Sequence, residues 1–480
     1  FGVLKMKVSI LYLFSLTLLL HYVESNLSRS ILKGIYREPR RPASKSDARI
    51  VREGWIEQQL DNFDEYNNGT YQMRYFANDE FYQLGGPFFI FVGGEWEITP
   101  DFVIGGHMYD MAKEMNGYLF YTEHRYYGQS RPTSDTSFEN LQYLHINQAL
   151  ADLAHFIRTM KQEIPGASSS GVILVGGSYS GTMVTWFRQK YPELVNGVWS
   201  SSAPLLAQAD FIEYFEAVGE TVRIIGGDTC YNAIESAFRE AERLVDVGDF
   251  ETLSEKMNLC STINPTEDNL AVFFGSLAII LAPVVQYHQT GDIEGVCETI
   301  MSKETDIEGY GEFIRQALGQ CWMADYAEVI EYYSNTVWTL DISRVWLYQT
   351  CNEFGWFQTS GSPNQPFGSG FPVEYNYQVC HDVFGDSYYN ESINYNVYIT
   401  NLNNNGMYPV ITNVYSTHGS LDPWRPMGVQ ENVNSFAPVY IIPNAVHAED
   451  LHSISPSDSP EMAASKERTT SLVRQWLMIF

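Results

Sequence analysis

From about residue 55 to 205 the chain alternates short apolar runs with segments of helical period. "PFFIFVGG" (87–94) and "GYLFYTEHRYYG" (117–128) begin as continuous apolar runs and end in loops, which predicts buried strands. "NQALADLAHFIRTMKQ" (147–162) repeats its apolar positions at three and four residues, the period of an amphipathic helix. "GVILVGG" (171–177) is a further strand, "TMVTWFRQKYPEL" (182–194) a further helix and "GVWSSSAPL" (197–205) a strand again. This alternation predicts a mostly parallel sheet covered by helices.

The middle of the chain differs. "QADFIEYFEAVGETVRII" (208–225) and "AIESAFREAERLVDV" (233–247) have helical spacing, and 206–392 reads as mainly helical with a loop-rich end near 355–376. Strand character returns with "NVYIT" (396–400), "PVITNVYSTHGS" (409–420) and "PVYIIPNAVH" (438–447), before a final helix in 462–480. The pattern predicts one sheet domain, 26–205 and 393–480, interrupted by a helical cap over 206–392. "LAVFFGSLAIILAPVVQY" (270–287) is long enough to span a membrane. It carries Gly275 and Pro283 and has acidic flanks, so it reads as a buried helix or helix pair, and no stable membrane anchor is expected. Residues 1–25 read as a secretory signal peptide. Lys5 and Lys7 precede an apolar run, and Val23 and Ser25 precede a cut at Asn26; Met6 is then the true start.

Composition adds limits. With 480 residues, 45% of them hydrophobic, a large core is available, and the length calls for two domains or one fold with a big insertion. The formal charge of −29 lacks the basic footprint of a nucleic-acid binder and suits solubility or, more sharply, an acidic cavity for cationic peptides. All six cysteines lie between Cys230 and Cys380. An even number in a secreted chain predicts three disulfides, with fifteen pairings formally open. Cys351 and Cys380 flank the loop-rich segment, which predicts a bond between them. Cys230–Cys297 with Cys260–Cys321 is the preferred pairing of the rest. No two cysteines have chelating spacing, so neither a metal nor a cofactor is expected. Asn26, Asn68 and Asn390 each begin a glycosylation sequon.

The candidate chemistry lies in "VILVGGSYSGTMVTW" (172–186). A strand enters a knot of small residues, Gly176, Gly177, Ser180 and Gly181, with Ser178 inside it and a helix after it. A serine hydroxyl attacks a carbonyl only with an adjacent base, exposure and nearby oxyanion donors. A sharp strand-to-helix turn supplies exposure and helix N-terminal amides, and its close backbone approach demands small neighbours. In an α/β-hydrolase the acid and the histidine follow on loops after later strands. "VYSTHGSLDPW" places Asp422 beyond one strand, and "VYIIPNAVH" places His447 beyond the next. The expected roles are Ser178 as nucleophile, His447 as base and Asp422 as its orienter, with His418, His452, Glu449 and Asp450 as rivals. The Tyr179 N–H is one expected oxyanion donor; Gly94 or Glu95, in "VGGEW", supplies the second.

Five ordered blocks, "GGSYSGTMVTWFRQKYPELVNGVWSSSAP", "TEHRYYGQSRP", "LQYLHINQALADL", "CNEFGWFQTS" and "GSLDPW", resemble the serine peptidase family of lysosomal Pro-Xaa carboxypeptidase, dipeptidyl peptidase II and thymus-specific serine protease. "CNEFGWFQTS" is closest to the thymus-specific branch. The resemblance implies an α/β-hydrolase with a helical cap, a secreted or lysosomal glycoprotein acting on peptides after proline near a chain end, and, weakly, a homodimer. It assigns the triad to Ser178, Asp422 and His447 and part of a proline pocket to Trp424; the aromatic-rich "NEFGWF" segment of the cap is expected to supply the facing wall. Thr182 stands where one branch has an apolar pocket residue, which relaxes the expected proline preference toward alanine. An esterase or lipase on the same fold, or a non-catalytic binding protein, are the rival classes. Which chain end is trimmed stays open; Glu95 is a candidate to hold a free α-amine.

Overall fold

The structure is a computed structural model and describes residues 38–478. The expected signal peptide and Asn26 lie outside the described residues. The strands are β1 (Arg52–Gln59), β2 (Thr70–Asn78), β3 (Phe88–Val92), β4 (Tyr118–Thr122), β5 (Val172–Gly177), β6 (Gly197–Ser201), β7 (Gln208–Phe211), β8 (Gly355–Gln358), β9 (Val414–Gly419) and β10 (Val439–Ile442). Eight of them form one sheet in the order β1-β2-β4-β3-β5-β6-β9-β10. The β1–β2 and β2–β4 pairs are antiparallel, and the others are parallel. Strands β3 to β6 are buried along their whole length, as parallel strands covered on both faces must be.

Successive side chains of one strand serve opposite cores. Phe88, Ile90 and Val92 join the core beneath helices α1 (Ile146–Glu163) and α2 (Tyr179–Lys190), while Phe89 and Phe91 join a second core with Met108 and Met111. The chain is an α/β-hydrolase with a cap inserted between β6 and β9. The loop after β4 is pinned from beneath. Fully buried Arg125 donates to Asp152 at 2.6 and 2.8 Å and to the carbonyls of Gln59, Leu60 and Tyr143. A buried guanidinium so fully partnered holds three chain segments in one arrangement.

The cap begins with α3 (Glu213–Asp246), which breaks at Gly227 (φ 80°, ψ 167°) into the two helices that the periodicity predicts. Next come α4 (Glu267–Gln286), the apolar stretch read as a buried helix, then α5 (Ser343–Gln349) and α6 (Asn390–Asn404). α7 (Pro460–Leu477) closes the described chain against the sheet. Disulfides join Cys230 to Cys297, Cys260 to Cys321 and Cys351 to Cys380, all within the cap.

Two local expectations are corrected. "NVYIT", read as a strand, lies inside α6, whose buried Ile393, Val397, Thr400 and Asn404 follow a helical period that the short β-branched run conceals. The start of "QADFIEYF", read as helix, is β7, and the supposed loop near residue 355 contains β8. The two pair in parallel, Gln208 with Gly355 and Phe211 with Gln358. Neither strand has enough residues to declare itself without its distant partner.

Candidate active site

At the carboxyl end of β5 the chain turns sharply into α2. Ser178 sits at the turn with φ 60° and ψ −134°, a conformation that disfavours a side chain. The surroundings hold it there. A Cβ on Gly176 would meet the Ser180 carbonyl oxygen at 2.3 Å, so only glycine fits. Ser180 Oγ donates to the Gly177 carbonyl and accepts from the Gly177 N–H, both at 2.9 Å. That pair of bonds gives Ser180 a local task where the usual motif has glycine. The Ser178 N–H donates to the Ser201 carbonyl on the neighbouring strand at 2.9 Å. Tyr179 opens α2, where the first N–H groups have no intrahelical acceptor and point toward incoming negative charge.

Strands β5, β6, β9 and β10 lie side by side and parallel, so the loops that follow them share one edge. Asp422 follows β9 and His447 follows β10. His447 Nδ1 and Asp422 Oδ1 are 2.8 Å apart, with both side chains fully buried. His447 Nε2 has no hydrogen-bond partner. Asp422 Oδ1 also accepts the Trp424 N–H at 2.9 Å. Burial by itself would raise the Asp422 carboxyl, but the adjoining His447 ring, its hydrogen bond and the Trp424 N–H outweigh burial and hold it below the usual carboxylate range. The histidine loop also touches the elbow: a Cβ on Gly177 would lie 3.5 Å from Ala448 Cβ.

The rival residues have structural partners or no reach. Asp450 accepts the hydroxyls of Ser201 and Thr417 at 2.5 and 2.6 Å. Glu449 accepts the Val446 N–H, and His452 Nε2 meets the Arg40 carbonyl. His418 is buried beneath Gly428, and burial pulls its ring down to about 4.

The β3 loop brings Gly94 and Glu95 into the interior. A Cβ on Gly94 would meet the Trp96 ring at 2.6 Å. Glu95 is buried, its Oε2 has no partner, and burial pushes its carboxyl up to about 8 against the pull of its own backbone N–H.

Trp424 is nearly buried and stands among aromatic rings, with centroids 5.5 Å from Phe211, 5.7 Å from Tyr214 and 5.8 Å from Trp356 of the "NEFGWF" segment. Thr182, the other expected pocket residue, lies in the first turn of α2. It has no exposed surface, and its hydroxyl donates to the Pro204 carbonyl at 2.7 Å. Asn68 lies exposed between β1 and β2, and Asn390 lies exposed at the start of α6.

Two features escape the sequence. Gln286, the last residue of α4, accepts the His447 N–H on its carbonyl at 3.2 Å; its side-chain oxygen accepts from Trp424 Nε1 at 3.0 Å and Tyr214 at 2.9 Å. The only sequence signal is that it ends the apolar helix. Beneath the elbow, the Tyr179 hydroxyl meets His124 Nε2 at 3.1 Å and accepts from Gln349 at 3.0 Å; Gln349 donates in turn to buried Glu353 at 3.3 Å. The cap thus braces both Tyr179, the residue after the elbow serine, and the histidine loop.

Residues 58–469 match the family described as serine carboxypeptidase S28. The chain is 32% identical over 451 residues to thymus-specific serine protease of Mus musculus, covering 89% of this chain and 88% of that protein. It is 31% identical to thymus-specific serine protease of Homo sapiens over 454 residues, covering 90% and 88%. It is 28% identical to lysosomal Pro-X carboxypeptidase of Bos taurus over 453 residues, covering 89% and 88%.

Proposed function

The chain belongs to the serine carboxypeptidase S28 family and is a serine-type peptidase, and from that premise we propose that it hydrolyses peptide bonds near a chain end, after proline or a small residue, through Ser178, His447 and Asp422. The observation that carries this reading is the buried 2.8 Å contact between His447 and Asp422, with His447 Nε2 unengaged at the same edge of the sheet as the Ser178 elbow. Nucleophile–base hydrogen bonds are often long before substrate binds and tighten in its complex.

In this mechanism Ser178 Oγ attacks the scissile carbonyl carbon while its proton passes to His447 Nε2. Asp422 keeps the proton of Nδ1 directed at itself and stabilises the imidazolium. The carbonyl oxygen gains negative charge against the Tyr179 N–H and an N–H of the Gly94–Glu95 loop. The tetrahedral centre collapses as His447 returns the proton to the leaving amine, giving an acyl-serine. Water then repeats the sequence and frees the acid. Trp424 offers a flat apolar wall to a proline ring, which has no N–H to be read and is recognised by shape.

We also assign the protein to the lysosome or the secretory pathway. This is supported by its similarity to lysosomal Pro-X carboxypeptidase, by exposed sequons at Asn68 and Asn390 and by three disulfides. A fluorophosphonate probe tests the nucleophile: the native protein labels and Ser178→Ala does not. Labelling that survives the substitution refutes the assignment.

A further inference from the structure

The elbow needs only a backbone N–H from Tyr179, yet the residue carries a large polar side chain into the interior. Tyr179 opens α2 directly after Ser178. Ser178, at φ 60° and ψ −134°, lies outside the ordinary backbone basins, at a cost of about 1–3 kcal/mol. Relaxing that strain rotates the Ser178–Tyr179 peptide, which carries the proposed oxyanion donor. The Ser178 N–H is fixed on one side by the Ser201 carbonyl at 2.9 Å. On the other side the holding contacts are made by the Tyr179 side chain.

The Tyr179 ring is buried against two cap residues, edge-on to Trp346 at 5.4 Å and tilted against Phe354 at 5.3 Å. Its hydroxyl lies between His124 Nε2 at 3.1 Å and Gln349 Nε2 at 3.0 Å. The partners fix the direction of both bonds. His124 Nδ1 is 2.6 Å from the Arg125 carbonyl, which can only accept, so the ring proton sits on Nδ1. Burial pulls the His124 ring down to about 4 and leaves it neutral, so Nε2 is an acceptor. The Tyr179 hydroxyl therefore donates to His124 and accepts from Gln349. Burial, with the Glu353 charge, pushes the Tyr179 phenol well above its usual range and keeps that proton in place.

Gln349 is fully buried at the end of α5, and its whole amide is engaged. Beyond Tyr179, its Nε2 reaches Glu353 Oε2 at 3.3 Å, and its Oε1 accepts the Tyr127 hydroxyl at 2.6 Å. Glu353, in the turn Thr350–Phe354, is held in its turn: its Oε1 accepts the Ile146 N–H at 2.9 Å and lies 3.2 Å from His145 Nδ1. The bonds thus run from the β4 loop through Tyr179 into the cap and back to the start of α1. A buried polar chain of this kind is costly unless every member is satisfied. Phenylalanine at 179 would serve packing alone. The hydroxyl ties the residue that bears the donor N–H to two separate elements.

We propose that Gln349 of the cap and His124 of the β4 loop are positioning residues for oxyanion stabilisation, gripping the Tyr179 hydroxyl from two sides so that the Tyr179 N–H stays aimed at the developing charge. The proposal rests on the peptidase reading above and deepens it: the docked cap is a working part of the oxyanion site, acting through Tyr179 rather than on the substrate.

Tyr179→Phe removes one oxygen and keeps the ring; Gln349→Met keeps the volume and removes one grip. Each is expected to lower kcat, counted per site titrated with a fluorophosphonate, by about tenfold, a fraction of the roughly 10²–10³-fold lost with a whole oxyanion donor. KM should change by less than about twofold, because the donor acts on the transition state. A short peptide ending in boroproline reads the oxyanion site directly: Ser178 Oγ adds to boron, and a boron oxygen stands where the oxyanion forms. Its Ki should rise about tenfold in both variants, while the Ki of the same peptide ending in proline stays put. In the Tyr179→Phe background, Gln349→Met should cost no further kcat, since the hydroxyl it grips is gone. A merely structural role lowers Tm or the number of titratable sites and leaves kcat per site unchanged. Native kcat per site in Tyr179→Phe overturns the proposal. So do boronate and proline-peptide affinities that fall together, or additive losses in the double variant. Should Gln349→Met not fold, kcat per site and the two Ki values of Tyr179→Phe decide alone. Failure of the peptidase reading is distinct: the native protein would then neither cut a proline peptide nor label at Ser178.

Discussion

The backbone N–H of His447 donates to the carbonyl of Gln286 at 3.2 Å, which ties the histidine loop to the last residue of the cap's apolar helix. The Gln286 side chain meanwhile accepts from Trp424 and Tyr214. One cap residue thus touches both the proposed base and the proposed proline wall. Gln286→Ala removes an acceptor from two buried donors, each worth about 1–3 kcal/mol when left unsatisfied. Thermal unfolding should show a lower Tm, and the Pro/Ala ratio of kcat/KM should fall as Trp424 loses its tether. Gln286→Glu, which keeps an acceptor, should retain more of that ratio. An unchanged ratio in Gln286→Ala would detach this residue from specificity.

Asp422→Asn is expected to leave the fold intact and lower kcat on the order of 10⁴-fold, because the amide favours the wrong imidazole tautomer. Steady-state kinetics with circular dichroism on the same sample checks it. A loss of less than tenfold would remove Asp422 from the triad.

Thr182→Ala separates burial from specificity. The hydroxyl is engaged by the Pro204 carbonyl, so its removal should cost about 1 kcal/mol of stability and leave the Pro/Ala ratio unchanged. Trp424→Ala should instead reduce that ratio. A ratio altered by Thr182→Ala would return Thr182 to the pocket.

Glu95 sets a pH dependence of stability. Its folded carboxyl titrates near 8, well above an unfolded value near 4.5. Between those values the folded state holds a proton that the unfolded state has released, so stability falls as pH rises through the window. The contribution is fully present only below the unfolded value. Glu95→Gln, neutral throughout, should gain a few kcal/mol over the native protein between pH 5 and pH 8. Guanidinium denaturation at both values measures it. A gap that does not widen with pH would show Glu95 to be ionised and solvated.

The Cys351–Cys380 crosslink closes a loop of 29 residues around β8. Replacing both cysteines by serine should cost on the order of 3 kcal/mol. Urea denaturation reads the loss, and non-reducing peptide mapping verifies which thiols are joined in the native protein.

The sequence by itself determined the features written into neighbouring residues. The buried strands, the strand–serine–helix elbow and the burial of α4 each follow from side-chain period or turn sterics within a short window. The order of Ser178, Asp422 and His447 was legible because each follows a recognisable strand. Tertiary structure decided what depends on partners far along the chain. β7 and β8 are strands only because residues 208–211 meet residues 355–358. "NVYIT" is helical because α6 buries Ile393 and Val397 against the cap, which outweighs a local β preference. Thr182 turns its hydroxyl to Pro204, and Gln286 reaches the histidine loop. Burial and hydrogen-bond partnership are properties of packing, and packing is fixed only when distant segments come together.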